Sequence, residues 1–194
     1  IVGSADGSTS SFIEADNDGS SNYYISWLRY GNEQTRKIEC ARSANSGSSW
    51  NTAVNVDGID NGDVNEFRAS PVIAANSDRV VVFWAETNTE SGSSSDQDIV
   101  YSSSNNDGTS WSDYDDVSEH YYEAFSGLPS LAYSGDFIYL VYMDNGDYDQ
   151  ENNPNGNDAA DRDGDIYFQR SDDEGESWDS LKVLSLFDED EEND

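Results

Sequence analysis

Ser104-Asn105-Asn106-Asp107-Gly108-Thr109-Ser110-Trp111 occurs three times in this chain with small changes. The other copies are Ser43-Ala44-Asn45-Ser46-Gly47-Ser48-Ser49-Trp50 and Ser171-Asp172-Asp173-Glu174-Gly175-Glu176-Ser177-Trp178. Each reads Ser-x-Asn/Asp-x-Gly-x-Ser-Trp, and the tryptophans recur at intervals of 61 and 67 residues. A fixed period of this size marks an array of similar supersecondary units. The flanks repeat as well. Upstream of each copy is an alternating stretch: Lys37 to Ala41, Asp98 to Ser102, Asp165 to Gln169. Before it comes a more continuously apolar run: Tyr23 to Leu28, Arg79 to Trp84, Phe137 to Tyr142. Earlier still are Phe12 to Ala15, Pro71 to Ala74 and Pro129 to Ala132. After each Trp lie Thr52 to Val56, Asp113 to Val117 and Ser180 to Leu184.

These runs have the period of strands, and the Gly, Ser, Asn and Asp clusters between them are turn chemistry. The expected fold class is therefore all-β, with four antiparallel strands in each of three repeats. Four short strands per repeat is the pattern of a β-propeller blade. Blades are expected at about 11–56, 70–118 and 128–185, within one module of residues 1–187. The second strand is the most apolar, so it should be buried between neighbouring blades. Residues 188–194, Asp-Glu-Asp-Glu-Glu-Asn-Asp, repel one another, have nothing apolar to bury, and read as a disordered tail.

The repeated motif resembles the Asp-box, or BNR repeat, of sialidases and related propellers. The resemblance runs from about Phe12 to Val183. It places the box on the hairpin between the third and fourth strands. There, Ser43, Asn45, Gly47 and Trp50, with Ser104, Asn106, Gly108 and Trp111, and Ser171, Asp173, Gly175 and Trp178, are structural residues. The Asn or Asp side chain should cap N–H groups inside the turn. The Gly should take a positive φ, and the Trp should fold back on the sheet. Asn45 and Asn106 stand where the family prefers Asp, and either oxygen can accept those bonds. Propellers typically close with four to eight blades, because fewer leave sheet edges unpaired. The sialidases that this chain resembles have six. Three blades are half such a ring, and two copies about a two-fold axis would complete it. A homodimer is the expected assembly; a chain cut from a longer parent and another ring built from the same three-blade unit are the alternatives.

Charge limits the partners. The chain of 194 residues has 41 Asp+Glu against 9 Lys+Arg, a net charge of -32. A nucleic-acid binder needs a basic face, and an anionic membrane surface needs one too, so neither is an expected partner. No apolar run approaches the roughly 20 residues of a spanning helix. Such a surface repels itself at low ionic strength and reads as halophilic, from an extracellular or cell-surface protein in a salty habitat. The alternative is a calcium-rich extracellular domain. Cys40, the single cysteine, alternates with Ile38 and reads as a small buried residue rather than a reactive thiol.

Several stretches are candidates for chemistry. The resemblance to sialidases implies a cluster of arginines on the substrate carboxylate, the first in a Phe/Tyr-Arg-Ile-Pro motif. Phe67-Arg68-Ala69-Ser70-Pro71 is the nearest match, with one residue too many, and it makes Arg68 a ligand-binding candidate. The Tyr nucleophile and its Glu cannot be placed, so no catalytic residue is assigned. Arg42 and Arg170 each precede a box Ser and read as surface ion pairs. The single histidine, His120, reads as a loop residue, and Tyr121 and Tyr122 are candidates for lining a glycan surface or sealing a blade joint. Asp161, Asp163 and Asp165 have the alternate-carboxylate spacing of a calcium loop but lack the distal bidentate Glu. Calcium ligands and a solvated acidic loop both stand as readings; no cofactor is required. The expected function is non-catalytic recognition of a glycan or a protein partner. A sialidase-like glycoside hydrolase, whole or in part, and a purely architectural module are the alternatives.

Overall fold

The computed structural model describes residues 8–31, 36–58, 68–87, 97–118, 125–145, 164–173 and 175–185. Within them the chain forms three antiparallel four-stranded sheets, each built from strands consecutive in sequence. The first holds β1 (Thr9–Asn17), β2 (Tyr23–Tyr30), β3 (Arg36–Ser43) and β4 (Val54–Asn55). The second holds β5 (Arg68–Ala75), β6 (Val80–Thr87), β7 (Gln97–Ser104) and β8 (Asp115–Asp116). The third holds β9 (Ser126–Ser134), β10 (Phe137–Asp144), β11 (Asp165–Ser171) and β12 (Lys182–Ser185). The expected blades are these three sheets. β5 packs against both β1 and β9, so the sheets converge on their first strands.

Two apolar cores lie between the sheets rather than within any one of them. Tyr24, Leu28, Ile38, Cys40 and Val56 of the first sheet meet Ile73, Val80, Val82 and Trp84 of the second. Ala74, Val81, Phe83, Ala85 and Ile99 of the second meet Ile138, Leu140, Tyr142 and Tyr167 of the third. Strand β6 supplies alternate residues to the two cores, and all eight of its residues are buried. Its near-continuous apolar run follows from this burial on both faces. Each such side chain is worth about 1.5–3 kcal/mol only while its neighbouring sheet is in place. Cys40 is buried as expected, and burial pushes its thiol up to about 12.

The pairing registers make the sheets superimposable residue by residue. Tyr23 pairs with Ser43, Val80 with Ser104, and Ile138 with Ser171, so these second-strand residues are equivalent. Val80 and Ile138 face the preceding sheet, and Tyr24 and Val81, one residue along from Tyr23 and Val80, face the following one.

The first strands share a distortion. In β1, β5 and β9 one extra residue enters the ladder, between Ser11 and Glu14, between Ala69 and Val72, and between Gly127 and Ser130. At these bulges Phe12, Ser70 and Leu128 take φ of 51°, 51° and 53°. A left-handed residue with a side chain is uncommon. Its recurrence at one position makes it a property of the repeat. The fourth strands pair over fewer residues than the alternation suggests. Only Val54 and Asn55, and Asp115 and Asp116, join their sheets, as short edge strands do.

Candidate functional site

The three motif turns have the same hydrogen bonds. Ser43 Oγ accepts from Gly47 N–H at 2.9 Å and donates to Asn45 Oδ1 at 2.9 Å. Asn45 Oδ1 also accepts from Ser49 N–H at 2.8 Å. Ser104, Asn106, Gly108 and Ser110 repeat this at 2.9, 2.9 and 2.9 Å. Ser171, Asp173, Gly175 and Ser177 do so at 2.7, 2.8 and 2.8 Å. Gly47, Gly108 and Gly175 take φ of 82°, 72° and 95°. The turn therefore needs a short acceptor at its second conserved position and a glycine at its third. Asp173 is the one charged member of its set. Bonds from the Ser177 hydroxyl and N–H hold its carboxyl below the usual carboxylate range. The stability it lends is present above that usual range and is lost as pH falls through the lowered value.

The turns also join the sheets. A side chain at Gly108 would stand 3.8 Å from the ring of Tyr24 in the preceding sheet. At Gly175 it would stand 3.3 Å from the ring of Tyr101, whose hydroxyl donates to the Gly175 carbonyl. Trp178 meets Phe83 and Tyr101 edge to face, with centroids 5.5 and 6.0 Å apart. Its indole thus crosses to the sheet before its own, which the motif alone did not indicate. Two ion pairs span the same joints: Arg42 with Asp107 at 2.9 Å and Arg79 with Glu176 at 3.8 Å. Arg170 pairs with Asp179 of its own sheet at 2.8 Å.

Arg68 is held by partners inside the fold. It is fully buried at the start of β5. Its guanidinium donates to both oxygens of Glu86, at 3.2 and 2.9 Å. It also donates to the Arg36 carbonyl at 3.2 Å and lies 3.6 Å from Asp57. Trp84 Nε1 donates to the same Glu86 at 2.5 Å. A forked guanidinium on a buried carboxylate is a satisfied pair. This one ties the second sheet to the first. The equivalent pair in the third sheet is Ser126 donating to Asp144 at 2.5 Å.

Tyr121, Tyr122 and His120 lie outside the described residues, as do Asp161 and Asp163. Asp165 is described and pairs across the ladder with Asp144. Among the described residues, no group of three or more His, Cys, Asp or Glu is placed to hold a metal ion. The converging strands expose apolar side chains beside polar ones such as Ser10, Glu14 and Ser130. Phe12, Ile13 and Leu128 are 51, 65 and 64 % exposed, and all three sit at the β1 and β9 bulges. Sequence reasoning missed these, because no Gly, Asn or Asp stands at the left-handed positions themselves.

No family model matches the chain, and no curated protein does. Solved structures do match. The GH93 α-L-arabinofuranosidase of Fusarium graminearum superposes with a TM-score of 0.57 at 16% identity, over 83% of this chain and 46% of its own. The α-L-arabinanase of Penicillium chrysogenum gives 0.57 at 13%, over 86% and 46%. A Hadza microbial sialidase gives 0.61 at 14%, over 87% and 36%. The chain has a sialidase-like β-propeller fold. It spans less than half the length of these three propellers. In a propeller the blades surround a central channel. The converging β1, β5 and β9 are the first strands of their three sheets.

Proposed function

We propose that this chain is a non-catalytic, glycan-recognising propeller module of a salt-adapted extracellular protein, and that two copies close one ring. The observation that carries the reading is the pairing of a buried Arg68 with exposed Phe12, Ile13 and Leu128 at the bulged first strands. Arginines grouped at the axis would favour hydrolysis of an acidic sugar; apolar side chains there favour stacking against sugar rings. A net charge of -32 further disfavours an anionic ligand unless salt screens it. The matched propellers act on arabinosides or sialosides, so those sugars are the first ligands to try.

Titration calorimetry in about 2–3 M KCl, a level at which surface charge is screened, tests this with arabino-oligosaccharides and sialylated oligosaccharides. Saturable binding of a neutral sugar without bond cleavage is expected, weakened about tenfold or more in Phe12→Ala and in Leu128→Ala. Release of free sugar by the wild type, abolished by unfolding, would mean a hydrolase. Binding of neither class would leave an architectural module.

A further inference from the structure

The two outer faces of the array are the two halves of one more joint. The third sheet turns Phe137, Tyr139, Val141, Met143, Phe168 and Arg170 away from the second sheet, toward the place of a following blade. Their equivalents in the second sheet include Val81, Phe83, Ala85 and Tyr101, which are buried against or packed into the next core. In the third sheet Phe137 is exposed and the others are half-buried. Tyr139 lies 6.2 Å from Phe137 and 6.3 Å from Phe168, ring to ring, so the aromatics form one patch. Tyr139 and Phe168 are equivalent to Tyr24 and Tyr101 in the sense that decides docking. Tyr139 holds the place of Tyr24, and Phe168 that of Tyr101, the rings that receive Gly108 and Gly175. Both receiving positions are aromatic in this sheet. In a chain with 41 carboxylates, none of the six face residues is acidic.

The complementary half is at the other end. Among the described residues no sheet precedes the first, where its motif turn would dock. Among the described residues, nothing comes within 4 Å of a side chain placed at Gly47. Beside it Tyr23, at the position of buried Val80 and Ile138, is exposed. Resting on the proposal that two copies close a ring, we infer that the Gly47–Trp50 turn of each copy docks on the Tyr139–Phe168 patch of the other. The occupant of the aromatic face is a second copy of this chain. Two such joints, related by a two-fold axis, use both faces of both copies and leave no edge, which closes the assembly. Within the chain Arg42 reaches Asp107 of the next turn. Arg170 and Ser46 hold those two positions at the intermolecular joint, so the interface lacks one ion pair that the internal joint has.

Cross-linking tests the joint directly. Ser46→Cys combined with Arg170→Cys places one thiol on each half, and Cys40 is buried. A bifunctional maleimide in high salt is expected to give covalent dimer from the double variant and little from either single variant. Light scattering on Tyr139→Ala/Phe168→Ala is expected to give a dimer dissociation constant raised about tenfold or more, with native circular dichroism retained. A dimer in solution that the double variant fails to cross-link, or that the single variants cross-link equally well, overturns this joint and leaves self-association standing. A wild-type chain that stays monomeric overturns both. Ser46→Asp adds at the intermolecular joint the carboxylate that Asp107 supplies to Arg42, and tighter dimerisation from it supports the same geometry.

Discussion

Arg68→Ala is expected to cost about 3–5 kcal/mol, enough to unfold a domain of ordinary stability. The loss comes from what remains behind. Glu86 keeps the Trp84 indole bond but loses both guanidinium bonds, and Asp57 loses its nearby cation, all within buried surroundings. The Arg36 carbonyl loses a donor as well, so the joint between the first two sheets loosens. Glu86→Gln should be milder, because its amide oxygen can still accept from Trp84 and Arg68 retains Asp57. Urea unfolding at fixed high salt measures both. A loss below about 1 kcal/mol for Arg68→Ala, the range of an exposed pair, would mean that the guanidinium is solvated and free for a ligand.

Phe83→Ala should cost a similar amount, about 3–5 kcal/mol. Phe83 is fully buried, stacks on Tyr101 with centroids 5.2 Å apart, and meets Trp178 edge to face at 5.5 Å. Truncation leaves a cavity at the joint between the second and third sheets, where the indole of one blade rests on the other. Val141 is the equivalent residue of the third sheet and stands on its uncovered face. Val141→Ala should therefore cost well under half as much in the monomer and weaken self-association instead. Equal losses at the two positions, read by urea unfolding of dilute protein, would mean that Val141 is covered within the chain.

The fold was legible because its information is local. The Ser-Asn-Gly turn makes its own bonds within five residues, so its three copies announce themselves, and the strands between them follow from alternation. The bulges were not legible. Phe12, Ser70 and Leu128 adopt positive φ without being Gly, Asn or Asp, and the sheet imposes that conformation on them. The partners of Arg68 were not legible for the opposite reason. Its local context resembles a ligand arginine, but its partners Glu86 and Asp57 lie 18 and 11 residues away along the chain, and only pairing of the strands brings them to it. The outer faces could have been read from sequence. Aligning the repeats puts Tyr139 and Phe168 at receiving positions that no later turn in the chain fills.

In the proposed assembly three blades are half of a closed ring. Native mass by size exclusion with light scattering, in about 2–3 M KCl to screen the charge, tests it most directly. Twice the chain mass, falling toward the single mass as salt is withdrawn, is the expected result. A single-chain mass at every salt and protein concentration would contradict the account, and the aromatic face of the third sheet would then belong to some other partner.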